Sequence, residues 1–244
     1  MHLLPQVRSS MPSRESVVEP VPSLSYVYSQ EQLIQSMPNN SFYYRVGKRM
    51  LDVVCAVLAL LLMSPLLLFI AIVIKLTSRG PVLFRQGRVG KNGELFEILK
   101  FRSMYVNAER EGPEMTTAGD KRVTTVGAML RRTKLDELPQ FWNVLVGDMS
   151  LVGPRPRVPN HVAMYSGRHR ALLTIRPGIT DPASIRYLRE EELLGKQSDP
   201  EQYAQELLNH KLAMSLEYLS RMSLRGDLQM LFLTLLAVLN TRPA

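Results

Sequence analysis

Asp136 and Glu137 stand side by side among basic residues: Arg131, Arg132 and Lys134 precede them, Arg155 and Arg157 follow in a Pro-rich turn, and Lys100 and Arg102 lie on a short apolar stretch. Taken alone, an adjacent acidic pair reads as a helix N-cap or first-turn feature. Thr133 with Asp136 fits a variant capping pattern in which Asp stands where Glu is usual. If the three segments converge, however, two carboxylates sit in a cationic cradle, an arrangement suited to phosphoryl transfer. Carboxylate attack on an anionic phosphate is opposed by charge, so the cradle is a chemical requirement. A divalent cation, Mg²⁺ held by carboxylate and phosphate oxygens, would supply the remaining neutralisation. For most other Lys and Arg side chains a solvated or headgroup-facing role is expected.

These residues need elements to bring them together. Leu138, Phe141, Trp142 and Leu145 recur at i, i+3, i+4, i+7 and predict an amphipathic helix starting near Asp136 and ending at Gly147. The following GDMSLVGPRPRVP contains Pro154, Pro156 and Pro159, which forbid regular helix. Upstream, Pro81 to Phe84 and Leu95 to Phe101 look like two short strands joined through the turn signal Gly90-Lys91-Asn92-Gly93. Residues Pro200 to Asn240 predict helices broken near Arg225-Gly226-Asp227. The expected fold is a small α+β domain joined to a membrane element, without internal repeats.

The membrane element is Val53 to Ile74, uncharged for 22 residues, enough for a helix to cross a hydrocarbon core of about 30 Å. Ser64 and Pro65 near its middle predict a kink. Basic residues flank both ends: Arg45, Lys48 and Arg49 before, Lys75, Arg79, Arg85 and Arg88 after. Two readings stand on these residues: a kinked transmembrane span, or a re-entrant hairpin returning to the leaflet it entered. Leu228 to Leu239 is apolar for only twelve residues, which suits a core helix or one lying on the membrane surface.

Among the 244 residues the net charge of +8 favours anionic partners. No aromatic-interleaved basic face or reading motif points to nucleic acid. The single Cys55 excludes an intrachain disulfide and a Cys-based zinc site, and fits a reducing compartment. His2, His161, His169 and His210 lack metal-ligand spacing. The polar stretch Met1 to Asn40 follows neither structural period and is expected to be a mobile tail or partner-binding arm, not a cleaved signal.

The ordered series KRMLD (Lys48 to Asp52), Ser64-Pro65, GPVLFRQGRVGKNGELFEILKFRSM (Gly80 to Met104), LRRTKLDELPQFWNVLVGDMSLVGPRPR (Leu130 to Arg157) and RPGIT (Arg176 to Thr180) resembles the bacterial sugar transferases. More narrowly, it is similar to their small monotopic phosphoglycosyl transferase branch, from about residue 42 to the C-terminus.

The resemblance implies that Asp136 is a nucleophile attacking the sugar-bearing phosphate of a nucleotide diphosphate sugar, with UDP the expected nucleotide. A polyprenyl phosphate, undecaprenyl phosphate, would then take the sugar phosphate from Asp136. Glu137 matches the partner carboxylate associated with Mg²⁺ and with activating the second substrate. Lys100, Arg131 and Arg155 match basic active-site positions, and Arg102 and Arg157 join them as expected phosphate contacts. Lys48, Arg49, Ser64 and Pro65 match motifs that fix a re-entrant helix-break-helix, which tips the choice above toward the hairpin. The implied organisation is an extension over residues 1–41, a re-entrant helix over 42–79 and a transferase domain over 80–244. It would work at the cytoplasmic face of the bacterial inner membrane and initiate polysaccharide or glycoconjugate synthesis. Nucleotide sugar, polyprenyl phosphate and membrane lipid are the expected partners, with a homodimer left open. One departure concerns the segment after RPGIT. Many relatives continue with Gly-Trp-Ala-Gln and an Asn-Gly-Arg turn, whereas this chain reads DPASIRYLREEELLG, leaving Arg186 or Arg189 to replace the usual Arg. The alternative of another class is a membrane-tethered lipid-binding or scaffold protein on the same fold, without catalysis.

Overall fold

A computed structural model of the chain describes residues 43–108, 120–165, 167–188, 190–194 and 200–240. The expected N-terminal extension and Arg189 lie outside the described residues. After a short turn at Tyr43–Gly47, the apolar segment forms α1, Lys48–Thr77. Its 30 residues are helical without interruption through Ser64 and Pro65, so the expected helix-break-helix is corrected: no break in the helical backbone occurs there. Pro65 has no N–H to offer the Leu61 carbonyl one turn earlier. The Ser64 hydroxyl donates to that carbonyl at 2.8 Å, satisfying the group that proline orphans. In a hydrocarbon environment an unpaired carbonyl costs several kcal/mol, so the Ser-Pro pair keeps the helix intact.

Both ends of α1 pack on the same globular body. Ala56 near one end joins a core with Val144, Met149, Leu151, Val152, Leu212 and Leu216. Ile70 and Ile74 near the other join a second cluster with Phe101 and Leu130. Between them Leu58, Leu61, Leu62, Leu68 and Phe69 are exposed. The first turns are bound by charge as well as by packing, each residue to a different element. Lys48 Nζ lies 2.5 Å from Asp227 Oδ2, and Arg49 donates to the Val144 and Leu145 carbonyls at 2.6 and 2.9 Å. Asp52 accepts from Ser150 Oγ at 3.0 Å and Leu151 N at 2.9 Å.

The expected hairpin is present, with its first strand longer and later than predicted: β1, Leu83–Val89, pairs antiparallel with β2, Leu95–Phe101, in a register that sets Leu83 opposite Phe101. Asn92 (φ 57°) and Gly93 (φ 84°) take the left-handed conformations of the reversal. Helix α2, Thr125–Thr133, is capped by Thr124, whose hydroxyl accepts from Gly127 N at 2.9 Å. Left-handed Lys134 ends it, and Leu135–Glu137 makes one 3₁₀ turn before α3, Gln140–Val146. The helix expected to start near Asp136 is thus a separate turn followed by α3. The Thr133–Asp136 capping reading is corrected: Thr133 Oγ1 donates back to the Met129 carbonyl at 2.8 Å, inside α2.

Gly147 (φ 102°) closes α3 where the sequence places its end. A second, two-stranded sheet follows, β3, Ser150–Val152, running parallel to β4, Gly178–Thr180. Gly153 and Gly178 allow these backbones to touch; a Cβ on Gly178 would lie 2.1 Å from Gly153 N. Short helices α4, Pro159–Ala163, α5, Pro182–Arg186, and α6, Glu190–Leu194, lead to the longer α7, Pro200–Ser220, and α8, Leu224–Leu239. The break between the last two falls at Arg221–Ser223, so Arg225 to Asp227 form the first turn of α8.

Candidate active site

The αL residue Lys134 reverses the chain between α2 and the 3₁₀ turn, and this turn presents Asp136 and Glu137 to a cleft of about 2120 Å³. Lys100 reaches the cleft from β2, and Arg155 and Arg157 from the turn after β3. The three sequence segments therefore do converge. Lys100 Nζ donates to Glu137 Oε1 at 3.0 Å; Arg155 NH1 donates to Oε2 at 3.2 Å, and its NH2 also donates to Oε1. The guanidinium grips the carboxylate as a fork, the strongest geometry open to such a pair.

The two acids have opposite electrostatic fates. Burial pushes the Glu137 carboxyl up, but Arg155 and then Lys100 outweigh it and hold Glu137 well below the usual carboxylate range. Burial pushes Asp136 above its ordinary value, and the Glu137 charge pushes the same way against Lys100, Lys134 and Arg131. Asp136 is 6% exposed, and its Oδ1 has no hydrogen-bond partner among the described residues. A buried, unsatisfied carboxylate oxygen costs stability, and at a cleft it is positioned to meet an electrophile or a cation. Lys100 is itself pulled below the usual lysine range by burial, with Glu137 opposing.

Other predicted residues separate into those at the cleft and those elsewhere. Arg131 and Arg157 line it, and the Arg157 carbonyl accepts from Val89 N at 2.9 Å, tying the Pro-rich turn to β1. Arg102 also borders it, but its guanidinium NH2 donates to the Ser78 carbonyl and hydroxyl at 2.8 and 2.7 Å, closing the end of α1. Arg186 is exposed and lies outside the cleft lining. Lys48, Arg49, Ser64 and Pro65 all lie in α1 and act on the anchor described above.

Several positioning residues were not singled out from sequence. Asn143 sits in the middle of α3 and acts as a backbone mimic: its Oδ1 accepts from Leu99 N at 2.9 Å and its Nδ2 donates to the Glu97 carbonyl at 2.8 Å. It thereby sets β2, with Lys100, against α3. The signal was a polar residue within an apolar stripe. Asp181 accepts from Ser184 N at 2.7 Å, capping α5, and from Ser215 Oγ at 3.0 Å. The Asp-Pro pair before a short helix marks the cap, but nothing local points to Ser215. Lys211, on α7, lines the cleft beside the predicted cations.

Mg²⁺ fits this donor set on the terms that hard cations set when phosphate supplies the other ligands: one or two carboxylates and little else from the protein. Asp136 has an oxygen without a partner among the described residues, and Glu137 adjoins it.

Among the described residues more cations than carboxylates line this cleft, a surplus that suits a ligand with several negative charges. Such an arrangement suits the transfer of phosphorylated groups. The chain belongs to the bacterial sugar transferase family, whose sequence pattern matches residues 43–241. It is 44% identical over 199 residues to a UDP-glucose:undecaprenyl-phosphate glucose-1-phosphate transferase of Caulobacter vibrioides, covering 80% of this chain and 70% of the relative. A protein of the same description from Escherichia coli K12 is 42% identical over 198 residues, which are 78% of this chain and 39% of that one. An exopolysaccharide production protein of Rhizobium leguminosarum is 38% identical over 205 residues, 80% of this chain and 96% of the relative. The chain thus spans well under half of some relatives, such as the Escherichia coli protein, and nearly all of the Rhizobium leguminosarum one.

Proposed function

We propose that this chain transfers a sugar 1-phosphate from a nucleotide diphosphate sugar, with UDP the carrier, to undecaprenyl phosphate, and so initiates a polysaccharide or glycoconjugate. The observation that carries the reading is Asp136: a buried carboxylate with an unpartnered oxygen, beside a Glu137 that Lys100 and Arg155 hold ionised. Relatives named for UDP-sugar and undecaprenyl-phosphate chemistry support the substrate classes. A scaffold has no use for an unsatisfied buried carboxylate, whose cost a catalytic role explains.

In the first step an Asp136 oxygen attacks the sugar-bearing phosphorus. The bond from that phosphorus to the bridging oxygen breaks, and the nucleoside monophosphate leaves with the electron pair. Desolvation of Asp136 favours this step because little hydration must be shed, while Arg131, Lys134 and Lys100 oppose the repulsion between nucleophile and phosphate. In the second step an oxygen of the lipid phosphate attacks the same phosphorus, and the bond to Asp136 breaks, returning the carboxylate. Glu137 fixes Lys100 and Arg155 at the phosphate throughout. Bound Mg²⁺, held by Asp136, Glu137 and phosphate oxygens, would neutralise charge on the diphosphate.

The anchor reading is a re-entrant α1 that enters and leaves by the cytoplasmic leaflet, which requires the helix to bend at Ser64-Pro65 while staying helical. Packing of both α1 ends on one globular body, with exposed leucines between and basic residues at each end, supports it. Met63 of α1 and Leu235 and Val238 of α8 give the Asp136 cleft an apolar wall, suited to a lipid acceptor whose phosphate stays at headgroup level.

Purified protein with Mg²⁺, undecaprenyl phosphate and a panel of nucleotide diphosphate sugars should release nucleoside monophosphate, and Asp136→Asn should abolish release. Full activity in Asp136→Asn would refute covalent catalysis.

A further inference from the structure

Beyond the dicarboxylate the cleft wall holds a second charged cluster. Lys211 Nζ of α7 lies 2.5 Å from Glu190 Oε2 of α6, and the Lys211 side chain is only 9% exposed against 38% for Glu190. The Tyr187 ring lies under the ammonium, 5.8 Å from Nζ to centroid. The Tyr187 hydroxyl is 2.6 Å from His210 Nδ1, which fixes the ring. Tyr187, Glu190 and Lys211 all line the cleft that contains Asp136. Burial holds the Lys211 ammonium below the usual lysine range, Glu190 pulls it back up, and Arg157 and Arg155 act on it through space, so it sits next along the wall from those cations.

We propose that Lys211, Glu190 and Tyr187 form a subsite that reads neighbouring hydroxyls on a neutral sugar ring of the nucleotide sugar. The inference rests on the transferase reading above for the identity of the ligand. Charge balance separates this cluster from the phosphate site. Around the dicarboxylate, Lys100, Arg131, Lys134 and Arg155 outnumber Asp136 and Glu137, so an anion is attracted. Here, among the described residues, one ammonium is paired with one carboxylate, with Arg155 and Arg157 farther along the wall, and an incoming anion would face Glu190 repulsion. A donor and an acceptor side by side match a vicinal diol, in which one hydroxyl donates to Glu190 and its neighbour accepts from Lys211. A fixed aromatic ring adds a flat apolar surface for the C–H face of a sugar. Two rings in a nucleotide sugar carry such diols: the transferred sugar and the ribose.

The test measures binding of nucleotide diphosphate sugars to the full chain in lipid nanodiscs, in an Asp136→Asn background that prevents turnover. One arm compares sugars epimeric at a single hydroxyl on the same nucleotide; the other compares ribose with 2′-deoxyribose carriers. Glu190→Gln and Lys211→Met should each reduce discrimination in one arm by roughly tenfold or more, the scale of a lost hydrogen bond to a charged group. The arm that responds identifies which ring is read. Glu190 is half-exposed, so Glu190→Gln should keep the fold, checked by its unfolding midpoint, if Lys211→Met does not. A purely structural ion pair would weaken all ligands alike. Unchanged discrimination in both arms with Glu190→Gln overturns the proposal. A wild-type chain that discriminates in binding yet releases no nucleoside monophosphate would instead sink the transfer reading and leave the subsite standing.

Discussion

Lys100 Nζ meets Glu137 Oε1 at 3.0 Å across 37 residues of sequence, joining the end of the β1–β2 hairpin to the 3₁₀ turn that carries Asp136. Because Glu137 also takes the fork of Arg155, its ionisation is secured by the fold, and its charge adds to the burial that chiefly raises the Asp136 pKa.

The pH profile of nucleoside monophosphate release should therefore have an acid limb above the ordinary aspartate range, where Asp136 gains its proton. Removing the neighbouring charge with Glu137→Gln should move the residual activity's acid limb to lower pH. Lys100→Met should move it higher, since Lys100 lowers the Asp136 pKa. An unchanged limb in both variants would assign it to another group.

Asp136→Asn should raise thermal stability while abolishing transfer. A carboxyl whose folded pKa is raised binds its proton more tightly in the native state. Its penalty is absent below the unfolded pKa, develops as pH rises through that value, and is complete above the folded pKa. The gain in unfolding midpoint, of order a few degrees, should be present at neutral pH and vanish in acid. Melting curves of both proteins across pH check this.

Lys48→Met should destabilise by about 3–5 kcal/mol, because it leaves the fully buried Asp227 without its cation. Tyr43 and Tyr218 still donate to Asp227, at 2.6 and 2.7 Å. Replacing both partners, as Lys48→Met with Asp227→Leu, should recover part of the loss in denaturant unfolding of detergent-solubilised protein.

Gly178→Ala should cost about 1–3 kcal/mol by overpacking, since the added methyl would meet backbone of Gly153, which cannot swing aside. The same shift would displace the turn carrying Arg155, so transfer should fall more than the melting temperature alone implies. Paired activity and melting measurements separate the two effects.

Single cysteines at Val46 and Arg79, in a Cys55→Ala background, should be labelled by impermeant reagent from the same membrane face. Labelling from opposite faces would replace the re-entrant anchor with a spanning one.

The sequence alone determined much of this protein. The 22-residue uncharged run, the hairpin around Asn92-Gly93 and the end of α3 at Gly147 follow from local propensity and covalent pattern, which act within a few residues, while the reading of Asp136 came from the resemblance of the ordered motifs to a family. Where local chemistry had two solutions, the structure shows which one was taken, through hydrogen bonds within a single turn: Ser64 donates to the Leu61 carbonyl that Pro65 leaves free, and Thr133 turns back into α2 instead of capping the next turn. The difference between Asp136 and Glu137 was invisible as two adjacent acids, because it depends on Lys100 and Arg155 arriving from β2 and from the turn after β3. Lys211 entered the cleft wall from a helix distant in sequence, while Arg186, nearer the motifs, remained at the surface. Burial and Coulomb interactions depend on distance in space, and folding alone sets those distances.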